Sequence, residues 1–330
     1  MNFDTDRNLL LKWYQKNKRQ LPWRQSKNPY SIWISEVMLQ QTTVTAVVPF
    51  FTKFIARFPT VKDLAEATIE EVYEYWAGLG YYSRARNIHK AAQILVETGF
   101  PKKYEQLIEL PGFGPYTSRA VSSIAFNEKT GVLDGNVIRI LTRKYGLSVK
   151  WWETKSRNEL QTIADQLAQT DDVADLNQAM MELGATVCTP KKVMCLMCPW
   201  QKDCISLKKN LIEKLPLKKE KPDFESWLWT FEVFTKKVKD ETYILLEQNN
   251  QTPFLKNNWL PPSKAKRLIE NPKKFVFKHG VTKFDIYVSF KKTSARPKSN
   301  KNHLWHPVSE IKKINPTSLM TKIIKQTHKK

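Results

Sequence analysis

Two carboxyl side chains, far apart in the chain, stand in sequence contexts that suit acid–base chemistry. Glu36 lies among apolar residues in SIWISEVMLQ, and burial among them would raise its pKa and let it hold a proton near neutral pH. Asp134 lies in LDGNVIRI, where a helical pattern begins and a carboxylate commonly caps the helix. Each has a simpler interpretation: Glu36 as a solvated residue of an amphipathic helix, and Asp134 as a cap alone.

The cysteines form a second candidate for chemistry. All four cysteines of the chain fall in one short segment: Cys188, Cys195, Cys198 and Cys204. Their spacing, C-x6-C-x2-C-x5-C, contains one C-x2-C pair, whereas zinc sites made of four cysteines usually contain two. Four thiolates at this spacing fit a [4Fe–4S] cluster better, with zinc or unligated thiols as the alternatives. Such a closed site can fix a loop in one conformation without redox chemistry.

A Gly-x-Gly turn leads into a helical pattern in LPGFGPYTSRAV, residues 110–121. Gly112 and Gly114 allow close approach of the backbone to a phosphate, and the N-terminus of the following helix adds a favourable dipole. Taken alone, the pattern also fits an ordinary corner between two helices. The choice depends on whether the chain has an anionic partner.

The charge balance indicates such a partner. The 330 residues include 54 Lys and Arg against 32 Asp and Glu, a formal net charge of +22. This excess is typical of proteins that neutralise nucleic-acid phosphates, although a basic composition kept for solubility is the alternative. We therefore expect Gly112 and Gly114 to bind the phosphates of DNA.

The residue pattern divides the chain into three parts. Residues 1–207 are mainly helical, with one long helical pattern over 31–58. Residues 208–225 are rich in Lys, include two prolines and lack apolar periodicity, which predicts a basic linker. Residues 226–330 alternate in polarity, which predicts an α+β domain that ends in a basic tail. The β elements expected there are a hairpin over 226–248 and a strand over 283–292.

No segment of the sequence is typical of a membrane or secreted protein. No uninterrupted apolar run approaches the ~20 residues that span a bilayer, and the N-terminus has no apolar signal-peptide region. We expect a cytoplasmic, nucleoid-associated protein with reduced thiols and no membrane partner.

The glycine hairpin, Asp134 and the cysteine segment together resemble the helix-hairpin-helix DNA glycosylases that carry an iron–sulfur cluster. In the endonuclease III branch of that family, a Lys in the hairpin motif forms a Schiff base and the enzyme nicks the strand. Tyr116 occupies that position here, two residues after Gly114, and a phenol cannot form an imine. The segments LPWR (21–24), NPYSIWISEVMLQQTTV (28–44) and WAGLGYYSRARNIHKAA (76–92) instead resemble the adenine DNA glycosylases of the MutY type.

This resemblance implies a monofunctional enzyme of base excision repair that hydrolyses the N-glycosidic bond of adenine mispaired with 8-oxoguanine or guanine. It assigns Glu36 as the acid that protonates the base and Asp134 as the carboxylate that stabilises the oxocarbenium-like sugar. Tyr116 and Asn136 are polar supports, and the cap is expected to help Asp134 stay ionised. Water is the final nucleophile.

The resemblance also implies contacts to an adenine that has left the base stack. The residues that match the adenine pocket are Trp23, Arg24, Leu39 and Gln178. The residues that match contacts to the opposite base, or a wedge beside it, are Gln41, Thr42 and Tyr81. The partner is double-stranded DNA with A:8-oxoG or A:G mispairs, bound by a monomer.

Residues 226–330 resemble, more weakly, the Nudix-like lesion-recognition domain of the family. No acidic Nudix box is present, so we expect no pyrophosphatase activity. Where the family commonly has Phe-Ser-His, this chain has Val281, Thr282 and Lys283, and His279 stands in another register. Thr282 and Lys283 are the candidate lesion contacts, and the preference for 8-oxoguanine over guanine stays open.

Two alternative functions remain at this stage. The first is a bifunctional pyrimidine glycosylase and lyase like endonuclease III, and the second is a non-catalytic DNA-binding module. The fold class we predict is a mainly α N-terminal helix-hairpin-helix glycosylase domain with a [4Fe–4S] loop, followed by an α+β Nudix-like domain.

Overall fold

The computed structural model describes residues 1–220, 223–291, 302–315 and 317–327. The chain divides into two compact units, Met1–Lys219 and Glu220–Lys330. Residues 221–222 of the predicted linker and the end of the predicted basic tail, 328–330, lie outside the described residues. Among the helices of the described ranges, none is both long enough and apolar enough to cross a membrane.

The first unit is built from helices. In chain order they are α1 Phe3–Asn17, α2 Pro29–Leu39, α3 Val44–Arg57, α4 Val61–Glu66, α5 Ile69–Trp76, α6 Tyr82–Thr98, α7 Tyr104–Leu107, α8 Pro115–Phe126, α9 Gly135–Tyr145, α10 Thr154–Leu167, α11 Val173–Thr186 and α12 Ile205–Lys208. Short 3-10 turns occur at Pro22–Arg24, Cys195–Met197 and Gln201–Asp203.

α2 is buried along most of its length. It packs against α8 and α3, and every residue from Ile32 to Met38 is buried, Glu36 included. A helix that is apolar all round belongs in a core rather than at a surface. The interpretation of Glu36 as a solvated residue of an amphipathic helix is therefore wrong.

The long helical pattern predicted over 31–58 is two helices in the structure. α2 ends at Leu39, and the chain turns at Gln41, whose φ is +60°, before α3 begins at Val44. Arg84 stabilises this break, because its Nη1 donates to the carbonyls of Val37 at 2.8 Å and Gln40 at 2.6 Å. Apolar periodicity does not report such a turn, since the side-chain pattern continues across it.

A buried ion pair connects α9 with α1. Lys144 Nζ lies 2.7 Å from Asp6 Oδ1, and both side chains are buried. Tyr145 donates its hydroxyl to Asp6 Oδ2 at 2.9 Å, and Trp200 donates its indole N–H to the Asp6 carbonyl at 2.8 Å. The segment that contains the cysteines is thereby joined to both helices.

The second unit combines two small sheets with short helices, and the predicted α+β class is confirmed. Its strands are β1 Glu225–Glu232, β2 Thr235–Val238, β3 Glu241–Gln248, β4 Trp259–Leu260, β5 Ser263–Leu268, β6 Phe277–Val281, β7 Phe284–Lys291 and β8 Leu304–Pro307. Its helices are α13 Ile311–Ile314 and α14 Ser318–Thr327. One sheet has the order β5-β1-β7-β6, with β1 and β7 parallel. The other has the order β2-β3-β4, with β8 also paired to β3.

The β elements predicted from sequence are only partly right. The strand expected over 283–292 is β7. The hairpin expected over 226–248 is limited to β2 and β3, because β1 pairs with β5 and β7 instead. Two core aromatics on β1, Trp229 and Phe231, are fully buried, which explains why β1 is central in its sheet.

The turn between β6 and β7 contains the two candidate lesion contacts. Thr282 has a φ of +50°, which is unusual for a β-branched residue, and Val281 pairs with Phe284 across the turn. Lys283 Nζ lies 2.5 Å from Glu225 Oε1, so its ammonium group is already paired.

Candidate active site

A cavity of about 880 Å³ lies within the helical unit. Four predicted catalytic residues line it together, from α2, α8 and the start of α9: Glu36, Tyr116, Asp134 and Asn136. Six of the predicted base-contacting residues line the same cavity: Trp23, Arg24, Leu39, Gln41, Thr42 and Gln178. The structure thus brings together residues that are widely separated in the sequence.

Glu36 has the environment of a proton donor. Among the described residues, its carboxylate has one hydrogen-bond donor, the hydroxyl of Tyr116, with 2.5 Å between Tyr116 Oη and Glu36 Oε2. Burial raises the pKa of Glu36 to about 7, and the charge of Asp134 adds to the rise. The Tyr116 hydrogen bond and the charge of Arg24 act against it. The carboxyl therefore holds or releases a proton near neutral pH.

Asp134 is both a helix cap and a residue of the cavity. Its Oδ1 accepts from the Val137 backbone amide at 2.7 Å, and its Oδ2 accepts from Asn136 Nδ2 at 2.9 Å. Burial raises the pKa of Asp134 above its usual value, and these hydrogen bonds lower it only in part. The cap acts on the charge in the expected direction, but burial has the larger effect.

Tyr116 is fixed between α8, α2 and α11. Its hydroxyl lies 3.0 Å from the sulfur of Met181, in addition to its contact with Glu36. Burial and the two neighbouring carboxyls raise the pKa of Tyr116 well above its usual value, so the phenol keeps its proton.

Sequence reasoning missed Glu182, which lines the cavity from α11. Its side chain is fully buried, with Oε1 at 2.5 Å from Arg19 Nε and Oε2 at 2.8 Å from Arg24 Nη2. Burial alone would raise the pKa of Glu182, but its hydrogen bonds and charge contacts with Arg19 and Arg24 outweigh burial and lower it. A charged residue between apolar positions, in MMELG, was the available signal.

Met181 and Arg157 also line the cavity and were not singled out from sequence. Met181 occupies an ordinary apolar position of the helical pattern in DLNQAMMELG, so nothing distinguished it from a core residue. Arg157 is an exposed residue of α10, and exposed arginines are common in so basic a chain.

The glycine hairpin lies outside the lining of this cavity. Gly112 has a φ of +80°, and a Cβ atom there would meet Asn87 Cβ at 2.7 Å, so only glycine fits without a shift. Gly114 caps α8 and faces open space. Between them, Phe113 is buried and stacks on Trp33 of α2, with 5.1 Å between the ring centroids. The hairpin is thereby anchored on the helix that contains Glu36.

Tyr81 precedes α6 and is also outside the lining of the cavity. It has a φ of +49°, and the residue is 52% exposed. The guanidinium of Arg84 lies over its ring, 5.4 Å from the centroid. Arg84 also donates hydrogen bonds to carbonyls at the C-terminal end of α2. The exposed Tyr81 ring and the end of the helix that contains Glu36 therefore contact the same arginine.

The four cysteines lie in one segment after α11, and their thiols influence one another. Burial and then the neighbouring thiols raise the pKa of Cys198 to about 12. Arg143 donates from Nη1 to Cys188 Sγ at 3.4 Å. Within the described part of the chain, no three His, Cys, Asp or Glu side chains are placed as ligands of a single metal ion.

Arg139 joins the cysteine segment to the carboxylate site. Its Nε donates to the Cys188 carbonyl at 2.7 Å, and its Nη2 donates to Asn136 Oδ1 at 2.7 Å. Asn136 in turn donates to Asp134. The cysteine segment is therefore connected to Asp134 through two hydrogen-bonded side chains, Arg139 and Asn136.

Comparisons with known proteins agree with this architecture. Residues 34–169 match the family described as HhH-GPD superfamily base excision DNA repair protein. Among solved structures, a thermostable thymine-DNA glycosylase superposes with a TM-score of 0.58 at 26% identity, over 63% of this chain and 97% of that chain. A non-covalent endonuclease III–DNA complex superposes with a TM-score of 0.52 at 22% identity, over 64% of this chain and 99% of that chain, and supports the fold alone.

Two named relatives extend the similarity in sequence. The adenine DNA glycosylase of Buchnera aphidicola subsp. Acyrthosiphon pisum (strain APS) is 35% identical over 98% of this chain and 89% of its own length. The adenine DNA glycosylase of Homo sapiens is 44% identical over 60% of this chain and 38% of its own length. The first similarity extends through both units of the chain.

Proposed function

The chain belongs to the adenine DNA glycosylases, and we propose that Glu36 and Asp134 are the two groups that excise the base. It is a monofunctional glycosylase of base excision repair that acts on N-glycosidic bonds, as the resemblance implied. The observation that carries the proposal is the placement of a buried Glu36, with a pKa raised to about 7, in one cavity with Asp134.

Glu36 acts first, as the acid. Neutral adenine is a poor leaving group, and a proton on N7 lets it accept the electron pair of the breaking bond. A carboxyl with an ordinary pKa would be ionised at neutral pH. Burial keeps a large share of Glu36 protonated, and the Tyr116 hydroxyl stabilises the carboxylate that remains after proton transfer.

Asp134 acts on the sugar. As the C1′–N9 bond lengthens, the sugar becomes oxocarbenium-like, and this positive charge lowers the pKa of a nearby carboxyl. The Val137 amide and the Asn136 side chain hold both oxygens of Asp134 in place. Water adds to C1′, and its proton passes through solvent to the Glu36 carboxylate, which restores the acid and leaves free adenine and an abasic site.

Tyr116 explains why the strand is not nicked. A lyase step needs an amine that attacks C1′ and forms an imine. The phenol at this position keeps its proton and is held by Glu36. The endonuclease III alternative therefore lacks its nucleophile, and the likeness to endonuclease III supports only the fold.

The remaining cavity residues form the adenine pocket in this proposal. Arg24 is held by its ion pair with Glu182, and Trp23 is buried in edge contact with Phe51, so both side chains are positioned before the base enters. Leu39 and Gln178 line the cavity as well and would contact the base. A preformed pocket reduces the ordering cost of binding an extruded base.

The basic net charge of the chain, its glycine hairpin and the exposed Tyr81 suit contacts with DNA. We propose that Gly112 and Gly114 contact phosphates through the hairpin, and that the exposed Tyr81 enters the base stack beside the opposite base. Gln41 and Thr42, at the rim formed by the break between α2 and α3, would contact that base. The preferred DNA is a duplex with adenine opposite 8-oxoguanine or guanine, bound by a monomeric protein of the cytoplasm and nucleoid.

The cysteine segment fits a [4Fe–4S] cluster. The four thiols that would hold it are Cys188, Cys195, Cys198 and Cys204. These thiols are near enough to raise one another's pKa, and four thiolates are the ligand set of such a cluster. When bound, the cluster supplies a rigid, redox-capable centre. Arg143 and Arg139 would then support Cys188 and keep the segment aligned with Asn136.

We assign three parts to the chain: a catalytic domain at 1–207, a basic linker at 208–225 and a Nudix-like lesion-recognition domain at 226–330. Thr282 and Lys283 remain its candidate lesion contacts. The strained φ of Thr282 supports a functional turn, whereas the pairing of Lys283 with Glu225 leaves Thr282 as the stronger candidate.

The proposal is tested by single-turnover excision on duplexes with adenine opposite 8-oxoguanine and opposite guanine. The D134N variant should lose about 10²-fold or more of the parent rate on both duplexes, because the amide cannot offset the charge on the sugar. Borohydride should trap no covalent complex on either duplex. Efficient trapping, or an unchanged rate in D134N, would contradict the assigned roles.

A further inference from the structure

Tyr116 has one hydroxyl proton and two acceptors within reach. Its Oη lies 2.5 Å from Glu36 Oε2 and 3.0 Å from Met181 Sδ. A phenol donates one hydrogen bond, so the two contacts compete for the same proton. Glu36 is fixed on the buried α2 and Met181 is half-buried on α11, which means that both acceptors are held by helices.

We propose that Met181 is a positioning residue that competes with Glu36 for the Tyr116 proton and so favours the protonated form of Glu36. The inference rests on the proposed role of Glu36 as the acid. When Glu36 is ionised, Tyr116 donates to it. When Glu36 holds its proton, the O–H of Tyr116 turns to the sulfur, and the phenol oxygen is free to accept from the carboxyl.

Other charged groups also face Glu36, but they act through space. Asp134, at the start of α9, raises the pKa of Glu36, and Arg24, in the turn at Pro22–Arg24, lowers it. Glu182 of α11 holds Arg24 by an ion pair. Among the described residues, Glu36 and Met181 are the two acceptors of the Tyr116 hydroxyl. Within the described ranges, Met181 is therefore the alternative acceptor for that proton.

The thioether suits this task because it is a weak acceptor. A strong acceptor would take the Tyr116 proton permanently and leave ionised Glu36 without a donor. A leucine would fill the same space and leave the proton to Glu36 at all times. The hydrogen bond to the carboxylate would then be strengthened, and the pKa of Glu36 would fall.

The test is the pH dependence of single-turnover excision from about pH 5 to about pH 9, on a duplex with adenine opposite 8-oxoguanine. In the parent, the rate should fall as pH rises through about 7, because Glu36 must be protonated. In M181L, the midpoint of this fall should move to lower pH by about half a unit, and this midpoint is the readout whatever the maximal rate of the variant. In the Y116F background, the same change at Met181 should produce no shift.

Met180 supplies the matched control. It lies next to Met181 on α11, fully buried in the core, so M180L makes the same chemical change away from Tyr116. M180L should keep the parent midpoint, and equal melting temperatures of M181L and the parent would verify folding.

Three outcomes would overturn the inference. An unmoved midpoint in M181L would show that the sulfur does not compete for the proton. An equal shift with and without the Tyr116 hydroxyl would assign the effect to packing. If the parent itself shows no fall near neutral pH, the acid role of Glu36 fails, and this inference fails with it.

Discussion

Glu36 on α2 and Glu182 on α11 are both buried and both line the same cavity. Glu36 has a neutral phenol as its hydrogen-bond donor, and its pKa is raised to about 7. Glu182 forms ion pairs with two arginines, Arg19 and Arg24, and its pKa is lowered. Burial is common to both, so the charge of the partners decides the direction of the shift. Glu36 can therefore bind or release a proton near neutral pH, whereas Glu182 keeps its negative charge.

Among the substitutions that test this comparison, E182Q should change the free energy of unfolding most. The substitution removes a buried negative charge and leaves Arg24 without its partner, so the free energy of unfolding at neutral pH should fall by about 3 kcal/mol or more. The charge of Arg24 would then act on Glu36 without compensation. The fall of the excision rate with rising pH should consequently move to lower pH.

Denaturant unfolding measures the first effect, and single-turnover excision measures the second. E66Q is the control, since Glu66 forms an exposed pair with Lys62 at 3.7 Å. That variant should change the free energy of unfolding by less than about 0.5 kcal/mol. An E182Q protein as stable as E66Q would contradict the anchoring role of Glu182.

E36Q should have a slightly smaller effect on the free energy of unfolding at alkaline pH, and in the opposite direction. The folded protein raises the pKa of Glu36 from 4.5 to about 7, so the native state binds more protons than the unfolded state between these values. Stability is therefore lost as pH rises through this window, and the loss is complete above about 7, at roughly 3 kcal/mol. E36Q should be more stable than the parent near pH 8, with little difference near pH 4.

Denaturant midpoints of E36Q and the parent at both pH values would reveal this gain. Glu182 shows the reverse linkage: its pKa is lowered, so its contribution to stability is present above the unfolded value and lost in acid. If E36Q gained no more stability over the parent near pH 8 than near pH 4, Glu36 would not carry the burial penalty that its proposed function requires.

The smallest effect on stability should come from an ion pair at the protein surface. Lys283 is paired with Glu225 at the surface of the second unit, where solvent screens the interaction. K283M should leave the denaturant midpoint unchanged within error. A shift comparable with that of E182Q would show that exposure does not separate the two cases.

Local sequence predicted the surroundings of the two carboxyls, and the family resemblance predicted their roles. The apolar neighbours of Glu36 indicated its burial, and Asp134 stood where a helix begins, but a solvated Glu36 and an Asp134 that is only a cap stayed open until the resemblance assigned both to catalysis. Local signals of this kind are reliable because the chain neighbours of a residue largely determine whether it is buried or caps a helix.

Other features depend on contacts between distant segments and left no local signal. The break after Leu39 depends on Arg84, which lies on α6, four helices after α2. The lowered pKa of Glu182 depends on Arg19 and Arg24, and the role we propose for Met181 depends on Tyr116. In each case a residue of ordinary type acquires its function from a partner that sequence spacing does not reveal.

The most direct test of the acid role of Glu36 is the pH profile of single-turnover adenine excision by the parent and by E36Q. The parent rate should fall as pH rises through about 7, and E36Q should be slower by about 10²-fold or more at acidic pH, with no such fall. An E36Q protein that excises adenine as fast as the parent, with the same decline above neutral pH, would contradict the account.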